Sequence, residues 1–402
     1  MTDEPQSEPA DKSKGKSKGE SDGGAQKRLR VLIAGGGVAG LEAALALGEL
    51  AGERVSMTLI EPEPDFVYRP MAVREPFAYG AAQRYPLKEI AQDIGAALME
   101  DSFAWVDPGA RLAHTEAGEQ IAYDALMLAP GAKLHPRYTH AYTIDDHHLD
   151  DILHGLVQDV ESGYVHRLAF VVPGRMGWLL PVYELALMMA GRAYDMGVEL
   201  ATTIVTPEDS PLRLFGLGAS EAVAKLLKDA GVETITSAYA EVPRWSTVVI
   251  NPGDRRLEVD RVVALPELFG PAVRGLPVAQ HGFIPVDVHG RVREVERVYA
   301  AGDATDFPVK HGGVSSQQAD AAAQSIAALA GVPIEPEPFH PIVRGILLTG
   351  GKPHYLTARI TGGHGFSSEI TDTPTWSPPV KIAAKYLAPY LDRLDRRGRA
   401  GG

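Results

Sequence analysis

Apolar residues follow two alternating periods along this chain. Short β-rich apolar runs recur at Arg30 to Ala34, Val55 to Ile60, Tyr123 to Ala129, Leu168 to Val172, Ala201 to Val205 and Arg297 to Ala301. Runs of this length between turn residues predict buried strands. Strong helix formers follow the first and fourth runs, at Leu41 to Leu47 and Tyr183 to Met189. Such strand–helix alternation predicts an α/β fold. An amphipathic helix is expected from about Asp146 to Glu161, with His147, Asp151 and His154 on one face at i, i+4 and i+7. That spacing could bind a metal, but a solvated helix face with Asp at its start is the expected reading, and no metal site is expected. Ile342 to Thr349, Gly350 to Pro353 and His354 to Thr361 predict a β-hairpin. After Pro378-Pro379, the residues Val380, Ala383, Ala384, Leu387, Tyr390, Leu391 and Leu394 fall near one helical stripe, with Lys381, Lys385, Arg393 and Arg396 off it. This predicts a helix from Val380 to Leu394, kinked at Pro389. It would either pack on the core or lie in a membrane interface.

The turn after the first strand carries Gly35, Gly37 and Gly40 in G-x-G-x-x-G spacing, directly before a helix. Gly35 suits the tight turn, Gly37 a close backbone approach to a pyrophosphate, and Gly40 close helix–strand packing. A diphosphate is then favoured at the helix N-terminus by free N–H groups and the dipole. The next strand ends in Glu61, about twenty residues past the last glycine, where an acid can hold a ribose. These features predict a dinucleotide-binding unit.

A second unit should start at Leu168 to Val172, but its turn reads Pro173-Gly174-Arg175-Met176-Gly177-Trp178-Leu179-Leu180-Pro181. Trp178 and Leu179 crowd the place where bare backbone is needed. Thr206 stands where the ribose-binding acid is expected, with Glu208 two positions late. NAD(P)H is therefore unsupported by motif there. The expected fold is α/β with two Rossmann-like domains, one inserted in the other, plus a small C-terminal α+β portion. The expected division is a disordered tail at 1–29, a split domain at 30–144 and 266–331, a degenerate second domain at 145–265, and a hairpin with an amphipathic helix at 332–402.

Composition narrows the chemistry. The net charge of −13 argues against nucleic-acid binding. No apolar run reaches the ~18–20 residues of a membrane span, and the start has no secretory apolar stretch. A cytoplasmic protein is expected, touching the inner face of a membrane at most peripherally, through the C-terminal helix. The chain has no cysteine, which excludes disulfides, thiolate metal sites, cysteine nucleophiles and dithiol redox relays.

Two further segments identify a resemblance. Tyr123 to Ala132 ends a strand in Ala129-Pro130-Gly131, and Arg297 to Asp303 ends one in Gly302-Asp303. Both resemble signatures of the two-dinucleotide-binding flavoprotein family, with Pro130 where threonine is usual. The resemblance is nearest the sulfide:quinone oxidoreductase, flavocytochrome c sulfide dehydrogenase and type II NADH dehydrogenase group. It rests there on Trp178 to Glu184, on Lys310-His311-Gly312-Gly313, and on the C-terminal hairpin and helix. It implies FAD in the first domain, with Asp303 bonding its ribitol or pyrophosphate. The helix after Asp303 would point at the pyrimidine end of the isoalloxazine, and Lys310 and the Gly312-Gly313 backbone would lie against the ring. A solvated loop lysine is the alternative for Lys310. Sulfide oxidation in that group uses a cysteine pair, which this chain lacks. The type II NADH dehydrogenase pattern has a glutamine where this chain has Gly313, ahead of Gln317-Gln318.

The expected function is an FAD-dependent oxidoreductase. It would pass electrons from a small reductant or NAD(P)H to an acceptor, with quinone as one candidate, and without cysteine chemistry. The alternative is a flavin-bearing binding or sensor protein. The sequence does not specify donor, acceptor or oligomeric state.

Overall fold

The computed structural model describes residues 28–361 and 365–400. The expected tail, apart from its last two residues, lies outside the described residues. From the N-terminus run β1 (Leu29–Ala34), α1 (Val38–Ala51), β2 (Val55–Ile60), β3 (Ala97–Met99) and β4 (Ala125–Leu128). Then come β5 (Tyr142–Thr143), α2 (Leu149–Glu161), β6 (Arg167–Val171), α3 (Leu180–Asp195), β7 (Ala201–Val205), α4 (Leu217–Asp229), β8 (Val232–Ile235) and β9 (Arg261–Ala264). The chain continues through β10 (Val298–Ala300), α5 (Gly312–Leu329), β11 (Ile342–Leu347), β12 (His354–Thr361), β13 (Gly365–Thr371) and α6 (Leu387–Ala400).

Two five-stranded parallel sheets organise these elements. The first has the order β10-β4-β1-β2-β3 and the second β5-β9-β6-β7-β8. The central strands are apolar throughout because both faces are covered; β4, for example, is buried along its whole length. β10 joins β4 although the whole second sheet lies between them in sequence, so one Rossmann-like unit is inserted in the other. In both sheets the strand order reverses beside the strand that carries the turn, and ligands of such folds bind in the crevice at that point.

The C-terminal portion differs from expectation in two places. The hairpin is the first part of a three-stranded antiparallel sheet, β11-β12-β13, whose last strand had no clear apolar pattern. The helix begins at Leu387 rather than Val380. Pro389 therefore falls in its first turn, where proline is tolerated, and causes no kink. The apolar stripe is spent on packing. Leu387, Ala388, Tyr390 and Leu391 join the core around α1 and β1, while Val343, Leu347, Leu356 and Ala358 of the three-stranded sheet join the core of the second unit. Similarly, α2 begins at Leu149, so His147 is outside it and the expected i, i+4, i+7 face does not form.

Buried carboxylates tie the C-terminal segment to both units. Glu42 on α1, wholly buried, accepts the backbone N–H groups of Lys385 (2.7 Å), Tyr386 (3.0 Å) and Leu387 (2.5 Å). It thus caps a helix start whose N–H groups have no intrahelical partner. Burial and the neighbouring Glu42 push Asp320 on α5 up to about 8. Lys381, expected to be off the buried stripe, is itself buried and donates to both oxygens of Glu184 on α3 at 2.7 and 2.8 Å. Glu184 also accepts the Leu348 N–H at 2.9 Å. Lys381→Met should destabilise the protein by about 3–5 kcal/mol, because an unpaired charge stays buried. Adding Glu184→Gln should recover most of that loss, since the amide oxygen still serves Leu348. Denaturant unfolding of both variants measures the difference.

Candidate functional site

A groove of about 420 Å3 crosses the carboxyl ends of β1, β4 and β10. The first turn forms one wall. Gly35 has φ +111°, and a Cβ on it would lie 2.2 Å from the Ala129 carbonyl oxygen. A Cβ on Gly40 would lie 1.8 Å from the Gly35 carbonyl oxygen. Only glycine lets α1 sit this close to the strand ends. Gly37 differs: a Cβ there would meet no protein atom within 4 Å. Its open side belongs to the groove, which Gly35 and Gly37 line together with Glu61 and Gly131.

Glu61 accepts the Gly36 N–H at 2.5 Å and the Glu63 N–H at 3.3 Å. Gly36 received no role from the sequence, yet a Cβ on it would lie 2.8 Å from Glu61 Cγ. The glycine lets the carboxylate reach the turn. Arg69, Pro70, Ser315 and Ile382 also line the groove; their positions follow from tertiary packing and carry no sequence motif.

The opposite wall is the Gly302-Asp303 turn and the start of α5. Gly302 has φ +80°, and its N–H donates to Gln318 Oε1 at 2.9 Å. Asp303 accepts a long bond from Ser315 Oγ (3.4 Å). Burial pushes its carboxyl up to about 6, against the opposing charge of Lys310. An acid set this deep, with unused acceptor capacity on a groove, suits a ligand rich in hydroxyls. A groove that joins a helix N-terminus, an open glycine face, Glu61 and Asp303 fits FAD.

Lys310 is not a solvated loop residue. It is buried, donates to the Thr305 carbonyl at 2.5 Å and stands 4.0 Å over the Phe283 ring. Burial pulls its amine down to about 8. Gly313 also has a local reason to be glycine, since a Cβ there would lie 2.9 Å from His311 Cε1. The His311 imidazole occupies that space and lies 4.1 Å, centroid to centroid, from Trp178.

The corresponding turn of the second unit is filled by protein. A Cβ on Gly177 would lie 2.5 Å from Lys310 Cγ, and the Lys310 N–H donates to the Gly177 carbonyl at 3.2 Å. Arg175 pairs with Glu267 at 3.1 Å and lies over Phe269. Glu208 is turned inward. It accepts from the Tyr183 hydroxyl at 2.5 Å, the Thr206 hydroxyl at 3.3 Å and the Arg213 N–H at 3.2 Å, and burial pushes its carboxyl up. The acidic cluster among the described residues is Asp145, Asp146 and His147. Asp151 and His154 are not part of it, and His154 faces Asp150 instead.

Comparison with known proteins places this geometry. The family model described as pyridine nucleotide-disulphide oxidoreductase matches residues 29–168 and 184–325. A sulfide-quinone reductase of Aquifex aeolicus (strain VF5) is 25% identical over 213 residues, which are 50% of this chain and 48% of that protein. The match thus spans about half the length of the curated relative. The crystal structure of the sulfide:quinone oxidoreductase from Aquifex aeolicus superposes with a TM-score of 0.75 at 19% identity, covering 86% of this chain and 87% of that one. A ferredoxin reductase from Rhodopseudomonas palustris superposes at 0.63 with 19% identity, covering 83% of each chain. A NAD-dependent persulfide reductase from A. fulgidus superposes at 0.60 with 18% identity, covering 83% of this chain and 64% of that one. At these identities the structures establish the fold.

Gly37→Val separates folding from cofactor binding. The new side chain meets open groove, so unfolding of the FAD-stripped variant should match that of stripped wild type. Its FAD content after purification should fall to near zero, measured by absorbance after heat release.

Proposed function

The chain belongs to the pyridine nucleotide-disulphide oxidoreductase family, a family of FAD-dependent oxidoreductases, and on that premise we propose that a compact reductant delivers its electrons beside Trp178, not NAD(P)H in the second unit. One observation carries the reading. The second unit keeps its parallel sheet, but the turn that would receive a pyrophosphate is packed against Lys310. The nearest acid, Glu208, is already held by Tyr183, Thr206 and Arg213. Arg175, the residue best suited to grip a phosphate instead, is committed to Glu267.

Bound FAD supplies a two-electron carrier between donor and acceptor. The chain's own groups position and tune it. The Gly35–Gly40 turn and Glu61 hold the adenosine diphosphate end, and Asp303 takes hydroxyls of the ribityl portion. The start of α5 opens on the groove at Gly312 and Ser315, where the positive end of the helix dipole favours negative charge. With its amine near 8, Lys310 holds or gives up a proton close to neutrality. Gly131 keeps the backbone close to the cofactor, whereas Gly313, whose open side His311 fills, is not in the groove wall.

The absence of cysteine separates this chain from sulfur chemistry carried on thiols. Quinone is a less favoured acceptor, because His311 fills the space over Gly313. The apolar stripe of α6 is covered by the core, and no described helix is long and apolar enough to cross a membrane. This favours packing of α6 on the core over its insertion into lipid. A smaller cavity shares Arg69, Asp303 and Gly312 with the FAD groove, and space for a second small molecule beside the cofactor favours an enzyme over a flavin-bearing sensor.

Stopped-flow reduction of the bound flavin tests the proposal. Slow, non-saturating reduction by NADH and NADPH up to millimolar concentration is expected. Losing a charge-assisted ribose contact alone costs about 1.5–3 kcal/mol, and the filled turn adds to it. Saturable reduction at micromolar nucleotide with ordinary turnover would refute it.

A further inference from the structure

Residues 381–387 form a strap before α6, and three buried side chains hold it. Glu184 pairs with Lys381, the Tyr68 hydroxyl accepts the Ile382 N–H at 2.8 Å, and Glu42 accepts the N–H groups of Lys385, Tyr386 and Leu387. The strap reaches the cofactor site. Ile382 lines the FAD groove, and a Cβ on Gly312, at the start of α5, would lie 2.9 Å from Ile382 Cγ1. Lifting the strap therefore opens the groove along the first turn of α5.

The Glu42 attachment carries a second carboxyl. The Asp320 side chain on α5 hydrogen-bonds to Glu42, and its Oδ1 is closed to solvent and receives no N–H or O–H among the described residues. Two carboxyls bond to each other only through a proton, and like charges in contact favour keeping one. The surrounding donors decide where it sits. Both Glu42 oxygens are taken up by the three backbone N–H groups at the entry to α6, where the helix dipole also favours negative charge. Glu42 is thus the anion and Asp320 the acid, in line with the shift of the Asp320 carboxyl up to about 8 by burial and by Glu42. The opposing cation is Lys385, which is exposed and is also drawn to Tyr386 and to Glu49 on α1. Solvent screens it, so it offsets a second charge beside Glu42 poorly.

We propose that Asp320 is a proton latch: protonated, it bridges α5 to Glu42 and holds the strap shut beside the FAD groove; deprotonated, it sets a second anion against Glu42 and releases the strap. An open strap exposes Asp320 to water, where its carboxyl returns to the ordinary range, so opening releases one proton. The open population then rises about tenfold per pH unit from the ordinary carboxyl range up to about 8, and levels off above it.

The absence of native cysteine makes a local test possible. In the FAD-loaded protein, Ala388→Cys puts one thiol on the buried side of α6, and Ala186→Cys puts one in the core of the second unit. Each is labelled with a thiol reagent from about pH 5 to about pH 9, with Asp320 intact and with Asp320→Asn. The amide keeps a donor for Glu42 and does not titrate. The ratio of labelling rates at position 388, intact over Asp320→Asn, cancels the intrinsic reactivity of the thiol. It should climb about tenfold or more between about pH 6 and 8 and then level off, with position 186 labelled far more slowly than position 388. Corrected against a free thiol, the rate with Asp320 intact should show the same rise, an arm that does not depend on how Asp320→Asn folds. A flat or falling ratio, or a flat corrected rate, would overturn the proposal. So would equal rates at positions 388 and 186, which would report unfolding of the whole chain in place of a strap.

Discussion

The structure depends on one contact between backbones. With Gly35 and Gly40 bare, α1 approaches so closely that any side chain at either position would overlap a carbonyl oxygen. That approach aims the start of α1 at the crevice above β1 and brings Gly37 to its open face. It also sets the depth at which Glu42, about one turn along α1, meets the chain before α6. Cofactor wall and C-terminal clasp are thus fixed by the same helix placement.

The second unit solves the same packing problem with protein groups in its turn. Its sheet repeats the parallel topology, and Gly177 again allows a close approach, but the approaching group is Lys310 from the FAD-side loop. The turn has become an interface between the two units. Tyr183, Glu208 and Thr206 close the neighbouring space with a buried hydrogen-bond cluster. Protein groups satisfy each other there.

Much of the first site was legible in the sequence because its demands fall on the backbone. Glycine spacing, strand ends and the acid at Glu61 are local signals. The damage to the second turn was legible too, as a departure from that spacing. What fills the turn was not, since Lys310 reaches Gly177 from across the fold. Lys381 looked solvent-facing by helical periodicity; its partner Glu184 is 197 residues away in sequence, and no local pattern reports such a pair. The start of α6 was placed seven residues early for a related reason. Val380, Ile382, Ala383 and Ala384 are apolar, and Ile382 and Ala384 pack on the first unit in an irregular segment, so apolar content alone did not distinguish helix from packed coil. Gly36 and Gly177 owe their identities to neighbours that only the fold brings near.

The central claim is that this chain holds one adenine dinucleotide, FAD, in its first unit and leaves the second unit without one. The stoichiometry of bound dinucleotide tests this most directly. Heat release should yield one FAD per chain, and equilibrium dialysis of the FAD-loaded protein against NAD+ or NADP+ should show no tight second site. Recovery of FMN alone, or retention of one nicotinamide dinucleotide per chain at micromolar concentration, would contradict the account.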